Sequence, residues 1–238
     1  LQAGVDTFGE FSGQADHNIT LNDKSALRIN TLYEKLKNHR DFYDGERVGF
    51  NPTLKLDITP STTLDVSYEY ANHERFIDRG IPTANGEPVK ALSDIVFGDK
   101  SENLNTVEAS VFRASLDHKF SDSSKASLSV TSSSFEKMYQ NTYANSYDLD
   151  TNVVEMDGYH DPTDRDNLIV SGNLVNALNI GNMTHTILTG FETVKTENSN
   201  LRYNILWSSN DCSVSNYDRE TFNVANPMDF NTVLKPFL

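Results

Sequence analysis

The feature that most constrains this chain is an alternation of apolar and polar residues with a period of two. Between residues 48 and 58, one face of an extended strand carries Val48, Phe50, Leu54, Leu56 and Ile58. The next run repeats the pattern with Leu64, Val66, Tyr68 and Tyr70. Because successive side chains of a β-strand point to opposite faces, these runs predict strands with one apolar and one polar face.

The same alternation recurs along most of the chain, and the connections between the runs differ in length. Short polar turns are predicted at residues 22–25, 59–61, 121–124 and 179–184. Longer connections are predicted at residues 38–46, 72–105, 140–166 and after 198. Because short and long connections alternate, the long ones all emerge at one end of an up-and-down sheet. Transmembrane β-barrels of the bacterial outer membrane have this arrangement. A change of phase near Val111 and Phe112 predicts a β-bulge there.

Composition narrows the class of protein further. The 238 residues include 20 Lys and Arg against 34 Asp and Glu, a net charge of −14, and this acid excess excludes a nucleic-acid-binding protein. No run of about 18 apolar residues is present, which excludes a helical membrane protein. The mean hydropathy of −0.51 is compatible with barrel strands, because their lipid-facing and lumen-facing residues average out as hydrophilic.

We therefore predict an all-β fold: an antiparallel, up-and-down transmembrane β-barrel with long loops on one side. The chain has room for about eight strands of a larger barrel. A water-soluble β-sandwich remains an alternative, although its strands are typically only about 5 to 6 residues long.

No arrangement of side chains predicts catalysis. The single cysteine, Cys212, cannot form an internal disulfide or a Cys-rich zinc site, so its partner is left open. The acidic segment 157–166 lacks the spacing of a calcium-binding loop and is interpreted as a solvated loop. We predict that the protein is not an enzyme and has neither a metal site nor a cofactor.

One stretch resembles a known family. Residues 68–89, YEYANHERFIDRGIPTANGEPV, resemble a segment of TonB-dependent siderophore receptors in which a strand with a charged end is followed by DRGIP, then NG and P. Further pieces match in the same order, including ALRINTLYE at 26–34, ERVGFNPTL at 46–54, DPTDRDNL at 161–168 and HTILTGFE at 185–192. The resemblance is collinear and covers nearly the whole chain.

The resemblance implies an outer-membrane receptor that binds ferric siderophores outside the cell and imports them. Energy would come from the TonB–ExbB–ExbD system through an amino-terminal plug domain. Residues 1–238 would be an internal piece of the barrel, with the plug and the barrel's carboxy-terminal end absent. The implied partners are a ferric siderophore, closest to a hydroxamate such as ferrichrome, and outer-membrane lipid, with iron present only in the chelate. A general porin and a soluble extracellular β-sandwich binding module are the alternatives.

Two groups of residues are candidates for the functional site. Aromatic side chains in the long connections are predicted to contact the ligand: Phe42, Tyr43, Tyr139, Tyr143, Tyr203 and Trp207. The DRGIP residues are predicted instead to shape the rim of the barrel. There, Asp78 and Arg79 would make charge-assisted hydrogen bonds while Gly80 and Pro82 turn the chain.

Overall fold

A computed structural model of the chain describes residues 1–207 and 218–226 and, for the backbone alone, residues 232–236. Cys212 lies outside these ranges. The described strands are β1 (Gln2–Val5), β2 (Phe11–Asn22), β3 (Ser25–Lys37), β4 (Asp44–Thr59), β5 (Thr62–Phe76), β6 (Thr83–Ala84), β7 (Glu87–Pro88), β8 (Leu104–Ser121), β9 (Ser124–Asp148), β10 (Val153–Ile180), β11 (Met183–Asn200), β12 (Tyr203–Trp207), β13 (Glu220–Asn223) and β14 (Thr232–Pro236). A short 3-10 helix covers Lys90–Leu92.

One antiparallel sheet contains all of these strands except β6 and β7, which pair with each other. From β1 to β11 its neighbours follow chain order, with β8 next to β5. Its eight long strands are β2 to β5 and β8 to β11, joined by four short turns at one end of the sheet. The predicted all-β, up-and-down architecture of about eight strands is confirmed.

The pairing register places the apolar residues on one face. A single row crosses six strands through directly paired residues: Leu27, Leu54, Val66, Ala114, Val130 and Val170. Ion pairs lie on the opposite face, including Arg28 with Asp16 and Arg113 with Glu69. The apolar face remains open, with Phe112 and Leu128 both more than two-fifths exposed. The β-sandwich alternative is therefore wrong, because its apolar face would be covered by a second sheet.

Two local predictions are wrong. The register is continuous through Val111 and Phe112, and the irregularity in the pairing of β8 with β9 falls at Lys119 and Ser121 beside the turn. Residues 140–166 form no loop. Instead β9 and β10 run on as a hairpin of 25 and 28 residues that turns at residues 149–152. Since a tilted membrane strand needs only about 9 to 11 residues, the half of this hairpin next to its turn, residues 137–164, extends beyond a bilayer; we call it the outer half.

The outer half of the hairpin is held by later and earlier parts of the chain. Along one edge of β10, β11 pairs with Thr163–Ile180, β12 with Tyr159 and His160, and β13 with residues 153–156. The connection between β5 and β8, residues 77–103, contributes to a buried apolar cluster formed by Leu92, Phe97, Val154, Met156 and Trp207. No helix in residues 1–207 or 218–226 has the length and apolar character needed to cross a membrane.

Candidate functional site

The 77–103 connection is fixed to its neighbours by an ion pair. Asp78 and Arg40 meet at 2.5 Å, with 11% and 17% of their side chains exposed. Arg40 also donates hydrogen bonds to the backbone carbonyls of Ser93 and Ile95. The second Asp78 oxygen accepts the backbone N–H of Gly80 at 2.8 Å, and Gly80 has a positive φ of 84°. Arg40 thus links the β3–β4 connection to the beginning and to the middle of the 77–103 connection.

A buried asparagine closes the same connection. The Asn103 side chain is fully buried, and its amide donates to the carbonyls of Ile77 and Thr142. Its carbonyl oxygen accepts from the backbone N–H and the hydroxyl of Thr142, both at 2.9 Å. The amide thereby satisfies the backbone groups of β9 that lie beyond the first residue of β8 and have no partner in that strand.

Pro82 and the residues after it form a tight hairpin. The N–H of Val89 donates to the Pro82 carbonyl at 3.0 Å, across the β6–β7 pair. Asn85 and Gly86 both have positive φ, at 52° and 81°, as an Asn-Gly hairpin turn requires. These contacts are compatible with the rim role assigned to Asp78, Gly80 and Pro82, which stays a prediction.

The Arg79 side chain contacts a group of tyrosines and not the residues that fix the 77–103 connection. Its guanidinium carbon lies 4.5 Å from the centre of the Tyr143 ring, within the range of a cation–π contact. One of its nitrogens, Nη1, donates to the Asn141 amide oxygen and to the Tyr159 hydroxyl, both at 3.0 Å. The ring of Tyr159 stacks on Tyr139 at 5.9 Å and meets Tyr143 edge-on at 6.2 Å. We call Arg79 with Tyr139, Tyr143 and Tyr159 the Arg–Tyr cluster.

The Arg–Tyr cluster lies on the polar face of the sheet. Tyr139 and Tyr143 are in phase with Ser129 and Thr131, and Tyr159 pairs with Asn141 in an unbroken register. In the part of the sheet next to the four short turns, which we call the lower sheet, the positions of this phase carry the ion pairs and point away from the apolar face. The cluster therefore continues the lumen-facing side of the sheet outward.

Charged groups flank the cluster. Arg202 makes two hydrogen bonds of 2.8 Å to the Asp161 carboxylate and lies 4.4 Å from the centre of the Tyr159 ring. Burial raises the pKa of the Asp157 carboxyl, although hydrogen bonds from the Gly158 N–H and the Tyr143 hydroxyl oppose this shift. Burial also raises the pKa of the Tyr143 phenol, which stays a neutral donor at neutral pH. No group of three or more His, Cys, Asp or Glu side chains within the described part of the chain is arranged to hold a metal ion.

The predicted aromatic ligand contacts are divided among several places. Tyr139 and Tyr143 come together in the Arg–Tyr cluster, and Tyr203 stacks edge-on against His160 at 5.5 Å on the neighbouring strand. Phe42, in the β3–β4 connection, packs against Phe76 at the end of β5, and Tyr43 is the next residue in that connection. Trp207 is only 2% exposed in the apolar cluster and packs against Phe222, where it stabilises the hairpin. Its role as a ligand contact stays a prediction.

Sequence reasoning missed Tyr159 and Arg202. The acidic residues around Tyr159 predict a solvated loop, although the alternation of Asp157, Tyr159 and Asp161 continues a strand pattern. Arg202 follows the end of β11, and no local pattern reveals that it reaches Asp161, 41 residues earlier.

Comparison with known proteins agrees with this architecture. No family model matches the sequence. The metal-pseudopaline receptor CntO of Pseudomonas aeruginosa is 24% identical over 210 residues, which is 84% of this chain and 29% of that protein. The "Probable TonB-dependent receptor BfrD" of Bordetella pertussis is 30% identical over 84 residues, 34% of this chain and 11% of that protein.

A solved structure reproduces the fold. The ferripyoverdine receptor of the outer membrane of Pseudomonas aeruginosa superposes with a TM-score of 0.79 at 13% identity, covering 99% of this chain and 32% of that one. The chain thus spans about a third of the length of CntO and of the ferripyoverdine receptor. The chain is therefore similar in sequence to receptors that include a probable TonB-dependent receptor, and its sheet has the fold of a segment of the ferripyoverdine receptor.

Proposed function

We propose that the receptor containing this segment binds a metal–siderophore chelate at the cell surface and imports it across the outer membrane with energy from TonB. The observation that carries the proposal is the collinear similarity to CntO over 84% of the chain. The chelate, and not a protein-bound metal, would be the cargo, and the TonB–ExbB–ExbD system would act through a plug domain. A hydroxamate chelate such as ferrichrome remains the prediction from the sequence resemblance.

The geometry supports this proposal in two ways. An apolar face that is continuous across the paired strands suits contact with lipid. The outer half of the β9–β10 hairpin extends beyond a bilayer and carries the Arg–Tyr cluster on its lumen-facing side. Aromatic rings with a cation among them suit a bulky chelate that has both apolar and charged parts.

Uptake of radioactive iron tests the proposal. The full-length gene is deleted and restored in the bacterium that encodes it, and uptake of ⁵⁵Fe is measured with hydroxamate and catecholate chelates, each in the presence and absence of TonB. We expect uptake of at least one chelate to require both the gene and TonB. Uptake that persists without TonB would indicate a passive porin, and unchanged uptake of every chelate in the deletion strain would contradict a receptor role.

A further inference from the structure

Arg79 differs in its partners from three other arginines around the hairpin, Arg40, Arg202 and Arg219. Arg40 meets Asp78, Arg202 meets Asp161, and Arg219 meets Glu155, so each of these guanidinium groups faces a carboxylate. Within residues 1–207 and 218–226, Arg79 has only neutral partners: an amide, a phenol and two aromatic rings. Its positive charge is oriented without being neutralised.

The guanidinium also keeps donors available. Both of its hydrogen bonds to described residues use Nη1, and the residue is exposed. A guanidinium has five N–H donors in a fixed plane, so the remaining Nε and Nη2 edge suits a planar anionic group. The Tyr143 ring beneath restricts the orientation of that plane.

An open recess lies beside the same rings. It has a volume of about 370 Å³ and is lined by Lys137, Tyr139, Tyr159, Asp161, Thr163 and Asn200. The Asp161 charge is balanced by its two hydrogen bonds with Arg202, whereas Lys137 meets no carboxylate within the described ranges. Lys137 and Arg79 therefore give this surface an excess of positive charge in a chain whose net charge is −14.

We propose that the Arg–Tyr cluster and the recess beside it form a subsite for an anionic group of the chelate, with Arg79 as the principal contact and Lys137 as the second. The inference rests on the proposed function and adds the charge of the cargo, which favours an anionic chelate over the neutral ferrichrome that the sequence resemblance predicts. It also gives Arg79 a role different from that of Asp78, its neighbour in the DRGIP motif. Asp78 holds the connection in place, and Arg79 binds the ligand.

Binding of chelates that differ in charge tests the inference. The full-length receptor is purified in detergent, and affinities are measured for the anionic ferric tricatecholate complex of enterobactin and for neutral ferrichrome. We expect the anionic complex to bind more tightly, and Arg79→Gln to weaken it by about tenfold or more, as expected for a lost hydrogen bond to a charged group. The affinity for ferrichrome should change less than about twofold, because that complex carries no net charge.

Three further variants separate binding from folding. Arg79→Lys keeps the charge but loses the planar donor edge, so it should restore only part of the preference. Lys137→Gln should produce a smaller loss than Arg79→Gln in the same direction. Arg28→Gln removes a positive charge from an exposed ion pair elsewhere on the sheet and should leave the preference unchanged. Each variant is first checked for wild-type levels in the outer membrane and for heat-modifiable migration on a gel.

The outcomes distinguish this inference from the proposed function. Equal or tighter binding of ferrichrome by the wild-type receptor, or an Arg79→Gln receptor that retains its charge preference, would overturn the subsite while leaving the receptor role intact. An Arg79→Gln receptor that fails to assemble, with Lys137→Gln binding normally, would return Arg79 to the rim-shaping role and also overturn the subsite. Binding of neither complex would overturn it as well, and absence of uptake for every chelate would overturn the proposed function itself.

Discussion

The lower sheet and the outer half of the β9–β10 hairpin share strands β9 and β10 but are specified in different ways. In the lower sheet, a position needs only to be apolar on one face and polar on the other, as the row from Leu27 to Val170 illustrates. Beyond the lower sheet, individual side chains of the 77–103 connection, such as Asn103 and Asp78, satisfy particular backbone or charged groups. The contrast shows that a membrane environment specifies strands by pattern, whereas structure beyond the membrane depends on single partners.

The largest expected effect tests the outer region. Asp78→Asn removes the charge that balances Arg40 in a mostly buried pair, and we expect it to destabilise the folded receptor by about 3 kcal/mol. Urea unfolding of the full-length receptor in detergent, with heat-modifiable migration as a second readout, measures the loss. Asp16→Asn is the matched control, because its ion pair with Arg28 is about half exposed and should contribute much less to stability. Equal losses for the two variants would remove the distinction between the regions.

A pair of substitutions in the lower sheet tests whether the alternation of apolar and polar positions alone determines where a charged side chain is tolerated. Val130 lies in the middle of the apolar row, and Val130→Lys should cost about 2 kcal/mol because the charge would face lipid. Ser129→Lys places the same side chain one residue away on the polar face and should be tolerated. The measurement is the fraction of receptor assembled in the outer membrane, and a larger defect for Ser129→Lys would reverse the assignment of the two faces.

A smaller effect is expected from pH at the junction of β10 with β12. Burial lowers the pKa of His160, despite the opposing charges of Asp161 and Glu102, and one ring nitrogen lies 2.8 Å from the Gln140 amide oxygen. The folded receptor therefore favours neutral His160. The contribution of His160 to stability is lost as the pH falls below about 6.5, the pKa of histidine in the unfolded chain. Urea unfolding at pH 7.5 and 5.5 should show a smaller pH dependence for His160→Gln than for the wild type. An identical pH dependence would exclude His160 as a contributor.

The same contrast explains what could be predicted from the sequence. The strands around Val48–Ile58 and Leu64–Tyr70, and the four short turns, follow from alternation and turn residues alone, and the structure confirms them. The prediction of a long connection at residues 140–166 is wrong because the alternation of apolar and polar residues fades where other parts of the chain cover both faces of a strand. Val154 and Met156 are covered there by Leu92 and Phe97, and the opposite face carries polar and aromatic side chains.

The candidate site was only partly accessible to sequence reasoning for a related reason. Tyr139 and Tyr143 could be selected as aromatic residues in a predicted outer region, and the structure places them side by side with Tyr159. Their association with Arg79 depends on how the 77–103 connection is folded, which in turn depends on Asn103 and the Arg40–Asp78 pair. Contacts over such separations leave no periodic signal in the sequence. The role of these side chains as ligand contacts stays a prediction.

The succession of three partners along one edge of β10 has a consequence for the order of assembly. β11 completes the ladder only from Thr163 onward, while Tyr159 and residues 153–156 pair with β12 and β13, which come later in the chain. A strand-by-strand process that has incorporated β11 would therefore leave the tip of the hairpin with unpaired backbone groups until residues 203–223 arrive. The proposed binding surface outside the membrane would therefore be completed after the paired strands within the membrane.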